Sequence, residues 1–317
     1  MHCLCEHCCP NTVKARAWLS WKQHGHAAPI DRVVRLRAKQ KFPERRPVST
    51  PGGVCQPKEP PSMSTSWNTA AIAEKLGIPA TDLGIETIAH SADGIDYESV
   101  LLYNKAQPPV SGVLTVPNYF GLRQQALEIA ATTIGAGHAI LVADVFGKSL
   151  RPTNPDEALA AIIPLKKDRA ELRKRMHGVL KVLREQTFVK LDAGKLGASG
   201  FCFGGTAALE LARDGADVRG TVSLHGALDT PAPGESKVKG AVLVLHGVQD
   251  PSVPRDQVNG FIDEMSALKV DWQLINYGQA GHSFTDPDAN HPGFFYHRQT
   301  AERAAVALQA FFGEVLA

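Results

Sequence analysis

From about residue 84 onward, short apolar runs alternate with amphipathic stretches. Ile85–His90 and Tyr97–Tyr103 read as two strands, and Asp93-Gly94 between them is a hairpin signal. Gly112–Val116 (GVLTV) is a third strand, stopped by Pro117, which cannot extend a hydrogen-bond ladder. Leu122–Ile134 has helical spacing, and Gly135 and Gly137 end it. Ala139–Ala143 reads as a buried strand, and Asp156–Glu185 as one or two charged amphipathic helices. Strands follow at Leu196–Ser199, Gly220–Leu224, Ala241–Leu245 and Asp271–Tyr277. Helices are predicted at Thr206–Arg213, Asp256–Leu268 and Ala301–Val315. Near-continuous Val/Leu/Ile strands alternating with helices predict an α/β domain. Its mostly parallel sheet of about eight strands should carry helices on both faces.

Residues 1–62 show no such periodicity and end in a Pro-rich run from Arg46-Pro47 to Pro60-Pro61. They read as a disordered or weakly ordered extension, with the folded domain spanning 63–317. Met63 opens Met-Ser-Thr-Ser and is a candidate native start. The extension holds 11 Lys+Arg against 4 Asp+Glu, although the whole chain carries only +2. A near-neutral chain argues against a dedicated nucleic-acid binder. Five of the six cysteines (Cys3, Cys5, Cys8, Cys9 and Cys55) lie in the extension, leaving Cys202 alone in the body. That pattern provides no disulfide framework and points to a reducing, cytoplasmic setting. The cluster at Cys3, Cys5, Cys8 and Cys9 with His2 and His7 lacks a second paired knuckle, so no metal site is expected. No apolar run approaches the length of a membrane span, and residues 1–20 lack the apolar core of a signal peptide.

Gly200-Phe201-Cys202-Phe203-Gly204-Gly205 sits between a predicted strand and a predicted helix. This is the pattern of a nucleophile elbow, with Cys where Ser is usual. The turn is too tight for side chains two residues to either side, hence the glycines. A helix N-terminus would favour the thiolate of Cys202. In such a site an acid and then a histidine follow at later strand ends. Asp250 in His246-Gly247-Val248-Gln249-Asp250-Pro251 and His282 in Gly281-His282-Ser283-Phe284 occupy those places. His282 would take the Cys202 proton, and Asp250 would orient His282. His225, His246 and Asp229 also lie near strand ends, but at the wrong points for that order, and read as local structure. An acyl-transfer site needs two oxyanion donors. One should be the Phe203 N–H. Pro117 has none to give, so the other should come from Asn118 or Tyr119.

With GFCFGG at 200–205, HGVQDPSVP at 246–254, GHSF at 281–284 and NYFGL at 118–122, the chain resembles the dienelactone hydrolases over roughly residues 84–317. ADVFGKSLRP at 143–152 is similar as well. The resemblance implies an α/β-hydrolase fold and a Cys202–Asp250–His282 triad. It also implies oxyanion donors at Phe203 and Tyr119, and cleavage of a lactone or carboxylic ester through a thioester. Two departures stand out. The founding members carry Glu where this chain has Asn118, and Arg where it has Asp286. In those enzymes the Glu helps control the nucleophile and the Arg helps bind the substrate carboxylate. A carboxylate at 286 facing the pocket would repel an anionic lactone, so a neutral substrate is expected.

Asn118, Phe120, Phe201 and Asp286 are candidate pocket residues. Tyr119 and Phe203 could also line an apolar wall, with core packing the alternative for the aromatics. Lys148 and Arg151 read as a solvated loop. Two other functions stay open on this scaffold. One is a non-catalytic small-ligand binder. The other is a thioesterase, acyltransferase or peptidase. No GxGxxG after a strand and no P-loop is present, so no cofactor is expected. The expected partner is a small ester or lactone, with no nucleic acid or membrane, and the protein acting as a monomer or homodimer.

Overall fold

The computed structural model describes residues 66–317, so the expectations for residues 1–62 and for Met63 lie outside it. The elements are α1 (Thr69–Leu76), β1 (Leu83–Ala92), β2 (Ile95–Asn104), β3 (Gly112–Val116), α2 (Gln124–Ile134), β4 (Ala139–Val142), α3 (Pro155–Lys167) and α4 (Arg169–Glu185). They continue with β5 (Leu196–Phe201), α5 (Phe203–Arg213), β6 (Gly220–Leu224), β7 (Ala241–Gly247), α6 (Arg255–Leu268), β8 (Trp272–Tyr277), β9 (Asn290–His291), β10 (Phe294–Phe295) and α7 (Arg298–Val315).

The strands β1 to β8 form an eight-stranded sheet in the order β1-β2-β4-β3-β5-β6-β7-β8. β1 and β2 form an antiparallel hairpin across Asp93-Gly94, both at positive φ (51° and 76°). This left-handed pair suits the twist of the strands. β2 runs antiparallel to β4, and every pairing from β4 to β8 is parallel. Strand periodicity divides the core between two faces. Val100, Leu102 and Val113 pack with α1, α2 and α7. Leu101 and Leu114 pack with α3, α4 and α5 on the other side. This is the α/β-hydrolase fold, with helices on both faces.

The differences from the predicted elements are local. α1 was not foreseen, although Asn68 caps its start and Gly77 at φ 71° ends it. The 156–185 stretch is two helices. Asp168 ends α3 and its side chain caps α4 by accepting from the Glu171 N–H. α2 begins two residues after Leu122, because Arg123 is still extended. α5 begins at Phe203, three residues before the predicted start. Two glycines in its first turn mask the helical signal there.

α5 is held by a buried ionic cluster. Arg213, 1% exposed, pairs with Glu264 of α6 at 2.7 Å and with Glu210 at 3.1 Å. Its guanidinium also donates to the carbonyls of Leu228 and Asp229. Removing one side of such a cluster leaves buried charge without compensation. Arg213→Ala should therefore cost about 3–5 kcal/mol, read from the urea unfolding midpoint. A loss under about 1 kcal/mol would show the cluster to be solvated.

Candidate active site

β5 stops at Phe201 and α5 starts at Phe203, leaving Cys202 alone at the corner with φ 56° and ψ −118°. That backbone is strained for a residue with a side chain. Its neighbours have no room for one. A Cβ on Gly200 would lie 2.0 Å from the Gly204 carbonyl oxygen, and one on Gly204 would lie 2.1 Å from the Val116 oxygen. The corner thus lifts Cys202 Sγ to the C-terminal edge of the parallel strands, where α/β sheets bind ligands.

Three loops converge there. Asp250 follows β7 in a turn closed by its own N–H to the Gly247 oxygen at 3.0 Å, and its Oδ1 accepts from the Ser252 N–H at 2.7 Å. His282 lies beyond β8. Its Nδ1 is 2.7 Å from Asp250 Oδ2, and its Nε2 is 2.9 Å from Cys202 Sγ. The β9–β10 hairpin, which the sequence reading missed, backs His282. The His282 N–H donates to Gly293 O at 2.7 Å, its carbonyl accepts from Phe295 N at 3.0 Å, and its ring packs on Phe294. The structure therefore brings together the three residues expected to do so.

Electrostatics favour a charged pair at this point. Burial pushes the Cys202 thiol up, but the His282 charge and hydrogen bond, with the backbone N–H groups of Phe203 and Tyr119, bring it below an ordinary thiol. Burial also disfavours a charged His282 ring. The thiolate on one side and the Asp250 carboxylate on the other overcome this and raise its pKa to about 10. Both shifts favour the thiolate–imidazolium form of the pair over the neutral form. Phe203 and Tyr119, the expected oxyanion donors, are the residues whose backbone N–H groups help lower the thiol pKa.

A small pocket flanks this centre, lined by Asn118, Phe201, His225, Ser283, Thr285 and Asp286, with Pro117, Ala126 and Ile129 supplying apolar wall. Asp286 is half-buried and holds both oxygens in hydrogen bonds, Oδ2 to Asn118 Nδ2 at 3.1 Å and Oδ1 to Gln125 Nε2 at 2.9 Å. Burial raises its pKa. Phe120 lies under the Arg123 guanidinium, 4.2 Å from its ring centroid, and against Tyr119. Phe203 is buried against Phe146.

Other residues noted in the sequence sit elsewhere. Arg151 pairs with buried Asp144 at 2.9 Å, Lys148 with Asp96, and Asp229 with Arg169. His246 is buried at the end of β7, and burial lowers its pKa. His225 lies closer to the centre than its reading as local structure suggested, in contact with both Cys202 and the His282 ring. A histidine at the end of an apolar strand and before a glycine was the only signal for it. Among the described residues no cluster of His, Cys, Asp and Glu is arranged to hold a metal ion, and no helix is long and apolar enough to cross a membrane.

The family model described as "Dienelactone hydrolase family" matches residues 99–316. The chain belongs to the dienelactone hydrolase family. As a dienelactone hydrolase family member it is a carboxylic-ester hydrolase, a class that takes esters and lactones. Among its relatives, a probable 2-oxo-3-(5-oxofuran-2-ylidene)propanoate lactonase of Bradyrhizobium sp is 27% identical over 207 residues, covering 60% of this chain and 81% of its own. Among solved structures, m3DLH is 34% identical with a TM-score of 0.70, covering 74% of this chain and 100% of its own. A dienelactone hydrolase-like promiscuous phosphotriesterase from metagenomic libraries is 32% identical with a TM-score of 0.69, over 74% of this chain and 99% of its own.

The charged pair gives a direct expectation for the protein. Alkylation of Cys202 by iodoacetamide should rise as pH climbs through the lowered thiol pKa and level off below the range of a free thiol. In His282→Ala, burial acts on the thiol with only the backbone N–H groups of Phe203 and Tyr119 opposing it. The rise should move to higher pH, and labelling at neutral pH should slow by about tenfold or more. An unchanged profile in that variant would show that His282 does not ionise the sulfur.

Proposed function

We propose that this hydrolase cleaves a neutral ester or lactone with Cys202 as nucleophile, His282 as proton carrier and Asp250 as the group that orients His282. The observation that carries the reading is the unbroken contact from Sγ through the imidazole to the carboxylate, at 2.9 and 2.7 Å. The thiolate attacks the carbonyl carbon, and the carbonyl oxygen takes up the negative charge. The N–H groups of Phe203 and Tyr119, which also favour negative charge on the sulfur, stabilise that oxygen. As the carbon–oxygen ester bond breaks, the His282 imidazolium gives its proton to the departing alkoxide. This leaves a thioester on Cys202 and a neutral imidazole. Water then gives a proton to His282 Nε2 as its oxygen attacks the thioester carbon, and the carbon–sulfur bond breaks to release the acid and restore the thiolate. In a lactone the alkoxide stays tethered to the acyl chain, and the steps are otherwise the same.

The pocket lining supports a neutral substrate. It contains one carboxyl, Asp286, and neither Lys nor Arg. A carboxylate-bearing lactone would meet a like charge with no cation in the wall to bind it, while a neutral ester meets amide and apolar surface. The dipole of the N-terminal turn of α5 supports the thiolate whichever ester is bound.

Short p-nitrophenyl esters test the assignment. Cys202→Ala should lower kcat at least about 1,000-fold with the fold intact, His282→Ala about as much, and Asp250→Asn less than either. Near-native turnover by His282→Ala would remove it as the base. On the native enzyme, kcat/KM should rise through the lowered thiol pKa and fall as His282 loses its proton near pH 10. A neutral lactone should exceed dienelactone in kcat/KM by about tenfold or more, and Asp286→Asn should narrow that gap. Efficient Cys202-dependent turnover of dienelactone would refute the charge argument.

A further inference from the structure

We propose that His225 is a positioning residue of this site, a neutral imidazole that ties the backbone of the nucleophile to the loop carrying the base. The proposal rests on the assignment of Cys202 and His282 above and adds to it.

His225 stands at the end of β6, 2% exposed, with φ 40°. The N–H of Cys202 is shared between two acceptors, the Leu224 carbonyl at 3.0 Å and His225 Nδ1 at 3.1 Å. Nδ1 therefore carries a lone pair, and the ring proton sits on Nε2. Nε2 is 2.8 Å from Thr285 Oγ1 and donates to it. Thr285 is three residues beyond His282, and Asp286 beside it is held by Asn118 and Gln125. One ring thus links the strained corner at 202 to the 282–286 loop, bonded at each nitrogen.

The same ring packs edge-on to His282, with centroids 5.2 Å apart, and to Phe284 at 5.0 Å. An imidazolium at 282 tolerates a neutral ring there and repels a charged one. The ionisable groups facing His225 are His282, the Cys202 sulfur and, across the cavity, Asp286. Burial and the His282 charge both keep His225 neutral.

Why tie these two segments together? Sγ and Nε2 come from loops 80 residues apart, and the proton passes between them only at contact distance. Packing alone would hold Cys202 at a corner that is itself strained. A phenylalanine would fill the same space, so bonding at both nitrogens indicates that their alignment is what the ring supplies.

The test compares three variants of the full chain. His225→Phe keeps a ring and removes both bonds. His225→Asn keeps an acceptor near the Nδ1 position and suits the left-handed backbone. Thr285→Val removes the far partner and leaves His225 in place. His225→Phe should lower kcat by about 10- to 100-fold with KM changed less than about threefold. It should also shift the iodoacetamide profile of Cys202 to higher pH. His225→Asn should recover most of the kcat, and Thr285→Val should fall between native and His225→Phe. If His225→Phe does not fold, Thr285→Val decides. A lower kcat with the shifted profile supports the tie, and native values overturn it. A folded His225→Phe with native kcat and profile also overturns it, leaving His225 as packing. Cys202→Ala, run alongside, separates the two claims. If it is inactive while His225→Phe is unimpaired, only the tie fails. If it keeps native turnover, the nucleophile assignment fails and takes the tie with it.

Discussion

A single corner of backbone governs this molecule. Between Phe201 and Phe203 the chain turns from strand to helix within one residue, and Cys202 takes the strain at φ 56°. The turn exists only because Gly200 and Gly204 have no side chains to collide with the Gly204 and Val116 carbonyls. It puts a sulfur at the edge of the sheet and the first N–H groups of α5 beside it, so chain geometry supplies a dipole where negative charge is needed. The surrounding structure keeps that corner in place. The parallel ladder from β3 to β6 holds its strand, and the Arg213 cluster holds its helix.

The corner does not ionise the sulfur by itself, since burial works against a thiolate. The imidazole of His282 works in favour of the thiolate, held by Asp250 behind it and by the β9–β10 hairpin beneath it. Each charge in the row is stabilised by its neighbour and penalised by burial, so the row acts as a unit. The adjoining cavity has a different character. Its carboxyl is committed to two amides, and its walls are otherwise apolar or neutral.

Much of the candidate site was legible in the sequence because its signals are local. GFCFGG carries a steric requirement, Asp250-Pro251 a turn, and GHSF a loop after a strand, each readable without knowing what lies across the sheet. The strands were legible for the same reason, because buried parallel strands are continuous apolar runs. The start of α5 was hidden, since the glycines that permit the corner also weaken the helix signal. The β9–β10 hairpin was hidden because two-residue strands have no periodicity. The contacts of His225 were hidden because its partners, the amide at 202 and the hydroxyl at 285, lie 23 and 60 residues away.

The amino-acid order alone determined the alternation of strands and helices, the hairpin at Asp93-Gly94, the glycine-bounded corner, and the loops that hold Asp250 and His282. These depend on steric and hydrophobic preferences acting within a few residues. The tertiary structure decided the contact distances between those loops, the partners of the His225 ring, and the pairing of Asp286 with Asn118. It also decided which side chains back the imidazole. All of these join groups that are remote in the chain. Hydrogen bonding and charge act over a few ångströms of space, and only the folded packing determines which atoms fall within that range.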